Sequence, residues 1–443
     1  MTGENNPIAW RARALAVLVM HCGLLEAALP AAAVGEGAGA CSSAKMVMEG
    51  VAGASLLGGD LVVWRWDHSE AGGVEFTLHG LPTCATQQGA SKDTTCDVLV
   101  EGRGRWRGVG IPAYATLLPI VNSSGINVVV FVPSLGVGRA PASLSILDSN
   151  GKQVKLKNAV PPTASVIGMV GASAGDGVVL LAHVTDSGLR IQEYGEDGAL
   201  VNAMEVDLVR EVGLDVWGRL SRGLRSIRML DTGSVEGDSP RIVISCLSSD
   251  YSLLVHLLPE GGIESLEVGS VGARLGAALQ WDRKGGDRGA EYLTGAPYAH
   301  ASRDGDPSND RVGRVDCRSL RTGLKYSAWG RKHGELFGYC VDTVVENGQE
   351  LLLVGAPGRL PDSDQGGVVY VLAGRGGLER ALLRGTPPDE LGLSHFFGED
   401  IVAIPDRSDS HALVFVLEHL NVLPTHSLPR SRLHVFCLKE CLQ

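Results

Sequence analysis

Phe337-Gly338, followed by Leu351-Leu-Leu-Val-Gly-Ala-Pro357 and then by Gly367-Val-Val-Tyr-Val-Leu372, is the stretch on which the fold turns. So short an apolar run suits a strand covered on both faces better than a buried helix. Gly-Ala-Pro ends it: glycine lets a neighbouring backbone approach closely, and proline withholds the N–H that would continue the ladder. Gly367 then opens a second strand. The same phrase stands earlier, where Leu275-Gly276 leads to Tyr292-Leu-Thr-Gly-Ala-Pro297 and on to Gly313-Arg-Val315. The two Gly-Ala-Pro triplets lie 60 residues apart, and Phe397-Gly398 falls 60 residues after Phe337-Gly338, leading into Leu413-Val-Phe-Val-Leu417. Self-similarity at such a period marks a propeller or a solenoid.

Working outward, the other strand-like runs are short, β-branched and bounded by turn residues. Examples are Leu61-Val-Val-Trp-Arg-Trp66, Val128-Val-Val-Phe-Val132, Val178-Val-Leu-Leu-Ala182 and Ile242-Val-Ile-Ser-Cys246. The 443 residues include 59 glycines and only 20% charged residues, a mix that favours many strands and tight turns over long helices. Val206 to Leu214 is the best candidate for a short helix or an extended connector. The fold class expected is all-β, a β-propeller over residues 107–443 with its clearest repeats at 271–416. Weaker blades fall near 107–150, 165–202 and 218–270, and residues 41–106 form a first blade or a small β domain. Leu433-His-Val-Phe436 is placed to pair with N-terminal sequence and close the ring.

The order Phe-Gly, strand, Leu-Val-Gly-Ala-Pro, acidic loop, Gly-x-Val-Tyr-Val resembles the FG-GAP repeat of integrin α-subunit propellers. It is also similar to the propeller of glycosylphosphatidylinositol-specific phospholipase D. The resemblance implies seven blades, an extracellular adhesion or interaction role with protein partners, and calcium in the hairpin between a blade's first two strands. The matching hairpin is Asp282-Arg-Lys-Gly-Gly-Asp-Arg-Gly-Ala-Glu291, which makes Asp282, Asp287 and Glu291 the candidate calcium ligands. It departs from the family pattern through one extra residue between the first two acids and through Arg283, Lys284 and Arg288. An ordinary charged hairpin is the competing reading. Val345-Glu-Asn-Gly-Gln-Glu350, in the next repeat, reads as a plain turn. The acidic loops after the two triplets hold Asp304, Asp306 and Asp310, then Asp362 and Asp364. In the family such loops face ligands, and solvated turns use the same residue types.

Arg11 and Arg13 precede an apolar run from Ala14 to Leu25, and small residues continue through Ala40. Residues 1–40 therefore read as a signal peptide, with a mitochondrial transit peptide as the alternative. No later segment reads as a transmembrane helix. Export would permit disulfides among the eight cysteines after Cys22. Cys84 with Cys96, and Cys437 with Cys441, are the local candidates; Cys246 reads as a small buried hydrophobe. Asn122-Ser-Ser124 is a glycosylation sequon. A net charge of -11 excludes a general nucleic-acid binder, which needs an excess of Lys and Arg. The enzyme alternative is an esterase-like hydrolase at Ser173 in Gly171-Ala-Ser-Ala-Gly175, or the propeller portion of a phospholipase D-like enzyme. A nucleophile elbow needs a helix after its serine, whereas Asp176-Gly-Val-Val-Leu-Leu-Ala182 reads as a turn and a strand. No catalytic set is nominated, and the leading reading is a non-enzymatic interaction module.

Overall fold

The computed structural model describes residues 39–41, 44–57, 60–67, 73–80, 83–86, 96–99, 102–122, 125–136, 140–156, 159–171, 179–195, 197–231, 242–258, 260–269, 272–281, 291–300, 311–320, 323–359, 366–374, 378–385, 395–405, 411–420 and 430–442. Two short strands come first, β1 (Gly39–Cys41) and β2 (Met46–Glu49). The first blade is β3 (Gly53–Leu57), β4 (Asp60–Asp67), β5 (Gly73–Gly80) and β8 (Gly102–Val109), with a ribbon of β6 (Thr83–Thr86) and β7 (Cys96–Leu99) before its last strand. The second is β9 (Thr116–Asn122), β10 (Gly125–Val132), β11 (Ser143–Leu147) and β12 (Gln153–Leu156). The third is β13 (Ile167–Gly171), β14 (Val179–Val184), β15 (Gly188–Tyr194) and β16 (Leu200–Asp207). Helices α1 (Leu208–Val212) and α2 (Leu214–Arg222) lead to the fourth, β17 (Leu224–Asp231), β18 (Ile242–Ser248), β19 (Ser252–Leu257) and β20 (Ile263–Val268). The fifth is β21 (Ala278–Trp281), β22 (Glu291–Ala296), β23 (Arg314–Ser319) and β24 (Gly323–Trp329). The sixth is β25 (Cys340–Glu346), β26 (Gln349–Arg359), β27 (Gly366–Ala373) and β28 (Leu378–Arg384). The seventh is β29 (His395–Ile404), β30 (Leu413–Leu420) and β31 (Arg430–Cys437), with β2 as its outer strand, and α3 (Leu438–Cys441) follows. The architecture is a seven-bladed β-propeller.

Continuous apolar strands follow from this arrangement. Leu351 and Leu353 of β26 pack against Val414 and Phe436 of the seventh blade. Their alternates Leu352 and Val354 pack against Leu293 and Val315 of the fifth. Side chains alternate across a strand, so one strand serves two joints and is apolar at every position. The seven hydrophobic clusters of the described residues each lie between two neighbouring blades, the last joining Leu61 and Val63 to Phe415 and Val435. The helices serve a joint as well. Asp207 caps α1 by accepting from the Arg210 N–H at 3.0 Å, and Trp217 and Leu220 of α2 are buried between the third and fourth blades.

The ring closes through its N-terminal strands. β2 pairs antiparallel with β31, setting Met46 opposite Val435. β1 adds a parallel fifth strand to the sixth blade, Cys41 opposite Leu383. The expected Cys437–Cys441 pair does not form: Cys437 takes part in no disulfide, while Cys441 is disulfide-bonded. Cys437 still has extended backbone and packs between blades seven and one, whereas Cys441, beyond the turn into α3, packs between six and seven. The backbone register of β6 and β7 sets Cys84 opposite Val98 and Cys96 opposite Thr86.

The repeated Phe-Gly and Gly-Ala-Pro phrases meet at the joints. In the fifth blade the N–H groups of Gly276 and Ala277 donate to the Gly295 carbonyl at 2.9 and 3.0 Å. In the sixth, Gly338 and Tyr339 donate to the Gly355 carbonyl at 3.1 and 3.2 Å. The next blade then presses on the same glycine: a Cβ at Gly295 would stand 1.9 Å from the Gly338 carbonyl oxygen, and one at Gly355 2.2 Å from that of Gly398. Gly338 and Gly398 both have φ of 89°, a left-handed conformation that only glycine adopts without strain. Backbone occupies the space that a methyl group would need. Gly295→Ala and Gly355→Ala are therefore each expected to cost about 1–3 kcal/mol of stability. Gly102→Ala, where an added Cβ meets nothing within 4 Å, serves as the near-neutral control. Urea unfolding of the three variants checks this.

Candidate functional site at the channel mouth

Several buried ionisable groups are engaged in joints between blades. Asp342 of β25 accepts from Gln280 Nε2 at 3.0 Å and from the Ala403 N–H at 2.8 Å, tying blades five, six and seven together. Glu346 accepts from the Ala412 N–H at 2.6 Å, and the Tyr370 hydroxyl donates to Glu335 at 2.7 Å. Arg318 of β23 binds Glu267 of β20 through two hydrogen bonds, one of 3.1 Å, and also meets Asp316 at 3.1 Å. His256 of β19 shares a 2.6 Å hydrogen bond with the Tyr292 hydroxyl of β22 and one of 2.8 Å with Ser265. These groups satisfy most of one another's hydrogen-bonding capacity, with Arg318 Nε left over.

The open chemistry lies inside the ring. A cavity of about 630 Å³ occupies the end of the channel where the inner strands begin. Its charged lining comes from two strands. Arg225 and Arg228 stand on β17, Glu399 and Asp400 on β29, and Tyr339 enters just before β25. Glu399 meets His419 Nδ1 at 3.6 Å. Asp400 accepts from the Ile401 N–H at 3.0 Å. Its side chain is open to cavity water, yet protein surrounds the cavity, and this crowding pushes its carboxyl up to about 6 against the pull of Arg228. Burial raises the Tyr339 phenol, Glu399 adding to the shift and Arg228 opposing it. The Cys340 thiol donates to the Gly398 carbonyl at 3.0 Å, and burial holds it well above the ordinary thiol range, so it is no nucleophile. On the same side, the Arg274 guanidinium lies over the Tyr298 ring at 4.6 Å.

The structure brings only part of the sequence-predicted set into view. Glu291 opens β22, is buried, and pairs with Lys325 of β24. That ammonium occupies the carboxylate, so the residue does not fit a calcium ligand set. Asp282 and Asp287 lie outside the described residues, as do Asp304, Asp306, Asp310, Asp362, Asp364 and Ser173. Asn122 ends β9, its backbone opposite Gly125 at a hairpin tip. Among the described residues, no group of three or more His, Cys, Asp or Glu side chains is placed to hold a metal ion. The chain leaves β22 at Ala296 and re-enters β23 at Arg314, at the end where the channel cavity opens; the 282–290 hairpin joins the opposite end of that blade. Sequence reasoning passed over Arg225, Arg228, Tyr339 and Asp400. A signal was available for two of them, since Tyr339 directly follows Phe337-Gly338 and Asp400 stands second after Phe397-Gly398, the repeated phrases at the inner strands.

The fold defines the class, a seven-bladed β-propeller with a charged channel mouth. No family model and no curated protein sequence matches the chain. Among solved structures, it is similar to the β-propeller domain of the Trilobed protease from Pyrococcus furiosus, at TM-score 0.40 and 8% identity over 90% of this chain and 97% of that one. It is also similar to Trypanosoma rangeli sialidase in complex with 2,3-difluorosialic acid, at TM-score 0.36 and 11% identity over 86% of this chain and 53% of that one. A mutant of AofleA from Arthrobotrys oligospora aligns at TM-score 0.36 and 10% identity over 81% and 97%. Likeness at this level says nothing about what the chain binds or does.

His256 carries the pH dependence that these joints build in. Burial, with Arg318 nearby, lowers its imidazole to about 4 from an ordinary 6.5, so the folded form holds it neutral. The unfolded chain takes up the proton first. Stability is thus full above pH 6.5 and is lost as pH falls from there toward 4, by up to about 1.4 kcal/mol per pH unit. His256→Gln is expected to flatten that slope. Urea unfolding of both proteins at pH 7, 5.5 and 4.5 measures the difference, whatever the variant's stability at pH 7.

Proposed function

We propose that the chain is an exported FG-GAP-type propeller that acts as an extracellular protein-interaction module. The observation that carries this reading is the equivalent use of the motif in successive blades: Gly295 and Gly355 each accept two N–H groups from their own blade's phase mark and each bear the next blade's carbonyl. The integrin-like phrase is thus a working joint, which supports kinship in scaffold with that family. A rigid ring presents its connecting loops, and those loops carry specificity. The acidic segments holding Asp304, Asp306 and Asp310, then Asp362 and Asp364, join strands at the channel-mouth end and supply the contacts in this proposal. Calcium, if bound, rests on Asp282 and Asp287 without Glu291. The esterase reading gains no support: the next described element after Gly171 is strand β14, paired antiparallel with β13.

The test uses the full chain expressed with its own leader. Protein recovered from the medium should have lost the leader, beginning after Ala31-Ala-Ala33 and ahead of β1 on N-terminal sequencing. It should bind the surface of the producing cells, and Asp304→Ala/Asp306→Ala/Asp310→Ala should bind at least ten-fold more weakly at an unchanged melting temperature. Retention inside the cell with the leader uncleaved, or equal binding by the variant, overturns the reading. Millimolar calcium should raise the melting temperature of the parent but not of Asp287→Ala; no shift in the parent removes calcium from the proposal.

A further inference from the structure

Two of the seven inner strands are irregular, and they are the two that carry the charges of the channel mouth. In β17 the pairing with β18 slips between Leu224 and Ser226, leaving Arg225 as the extra residue of a bulge. In β29 the pairing with β30 slips between Phe397 and Asp400, leaving Gly398 and Glu399 unpaired. The inner strands β3, β9, β13, β21 and β25 pair with their neighbours without a shift. A bulge re-aims side chains and interrupts the alternation of faces. Arg225 and Arg228 of the one bulged strand line the cavity, and so do Glu399 and Asp400 of the other.

The charges so placed are separated by sign. The arginines belong to the fourth blade and the carboxylates to the seventh, three blades away around the ring. Glu399 lies 3.6 Å from His419 Nδ1, an ion pair only when that imidazole carries a proton. Among the described residues, Arg225 and Arg228 have no ion pair or side-chain hydrogen bond, and Asp400 meets no cation within ion-pair distance. Arg228 and Asp400 feel each other across the cavity without closing on one another. A cavity of about 630 Å³ lies in the size range of small-molecule sites.

We propose that the channel mouth binds a small zwitterion, its carboxylate on Arg225 and Arg228 and its ammonium on Asp400. Guanidinium groups hold carboxylates through paired, charge-assisted hydrogen bonds, and a carboxylate is the matching acceptor for an ammonium. The site needs neither export nor a protein partner, so its test is independent of the function proposed above.

Isothermal titration calorimetry on the full chain uses glycine, γ-aminobutyrate and glycylglycine as probes of increasing charge separation, with butyrate and butylamine as half-ligands. At least one zwitterion should bind ten-fold or more tightly than both half-ligands. Arg228→Gln should weaken it at least ten-fold. Asp400→Asn should erase the preference for γ-aminobutyrate over butyrate while leaving butyrate binding in place. Lowering the pH from 7 to 5 should erode the same preference as Asp400 takes up a proton, in surroundings formed by Arg228, Asp342, Tyr339, Cys340, and Glu399 with His419. Circular dichroism of the variants shows that the ring is intact. Equal binding of zwitterions and half-ligands, no binding of any probe, or unchanged affinity in both variants overturns the proposal.

Discussion

The contact on which the later blades depend is backbone against backbone, the Gly338 carbonyl lying on Gly295 and the Gly398 carbonyl lying on Gly355. Any side chain at those positions would force neighbouring blades apart. The same two glycines turn their own carbonyls inward to receive two N–H groups each. One residue therefore closes its own blade and seats the next. Phe337 and Phe397 are fully buried beside these contacts, and Gly313 and Gly367 abut their carbonyl oxygens at what would be 2.2 Å from a Cβ. Apolar packing supplies most of the energy at a joint. The glycines set the distance at which that packing occurs.

Polar groups then fix the angle between blades. Asp342 reaches both of its neighbouring blades at once, and Glu346 holds the backbone ahead of β30. Breaking one partner of such a buried set leaves a charge uncompensated, which is why these networks resist substitution more than their modest net stabilisation suggests. Among the described residues, it also accounts for the partners found on Asp342, Glu346 and Glu335. The interior acids face amide N–H groups and cations already in place. What is left over collects at the channel mouth.

Legibility in the sequence follows the same division. Blades five to seven were readable because their joints use repeated glycines, which leave a periodic mark. The earlier blades meet through side chains instead: a Cβ at Gly108 would strike Ile111 and Leu147, and one at Gly168 would strike Ile227 and Met229. Side-chain complementarity accepts many residue combinations, so it leaves alternating hydrophobicity and no motif. The short helix read near Val206–Leu214 became two helices broken at Gly213, whose φ is 85°. The cysteine pairing failed for a reason no spacing reveals, since the turn into α3 sends Cys437 and Cys441 to different joints. Arg225, Arg228 and Asp400 were hidden for a related reason. A bulge is a property of two paired strands, and facing charges are a property of the closed ring; neither exists in one segment of sequence.

Closure and the channel mouth are thereby linked. The seventh blade, which carries Asp400, is completed only when β2 pairs with β31, and the sixth takes β1 on its outer edge. Chain from before the first blade thus fastens the last two. With that fastening absent, the last joint would rest on the apolar cluster of Leu61, Val63, Phe415 and Val435, and β29 would be held less firmly opposite β17. A charge pair three blades apart exists only in the complete circle, so anything that bridges it binds the closed ring in preference to the open one. By mass action such a ligand stabilises closure. The scaffold holds the site, and a ligand of the kind proposed would in turn hold the scaffold shut.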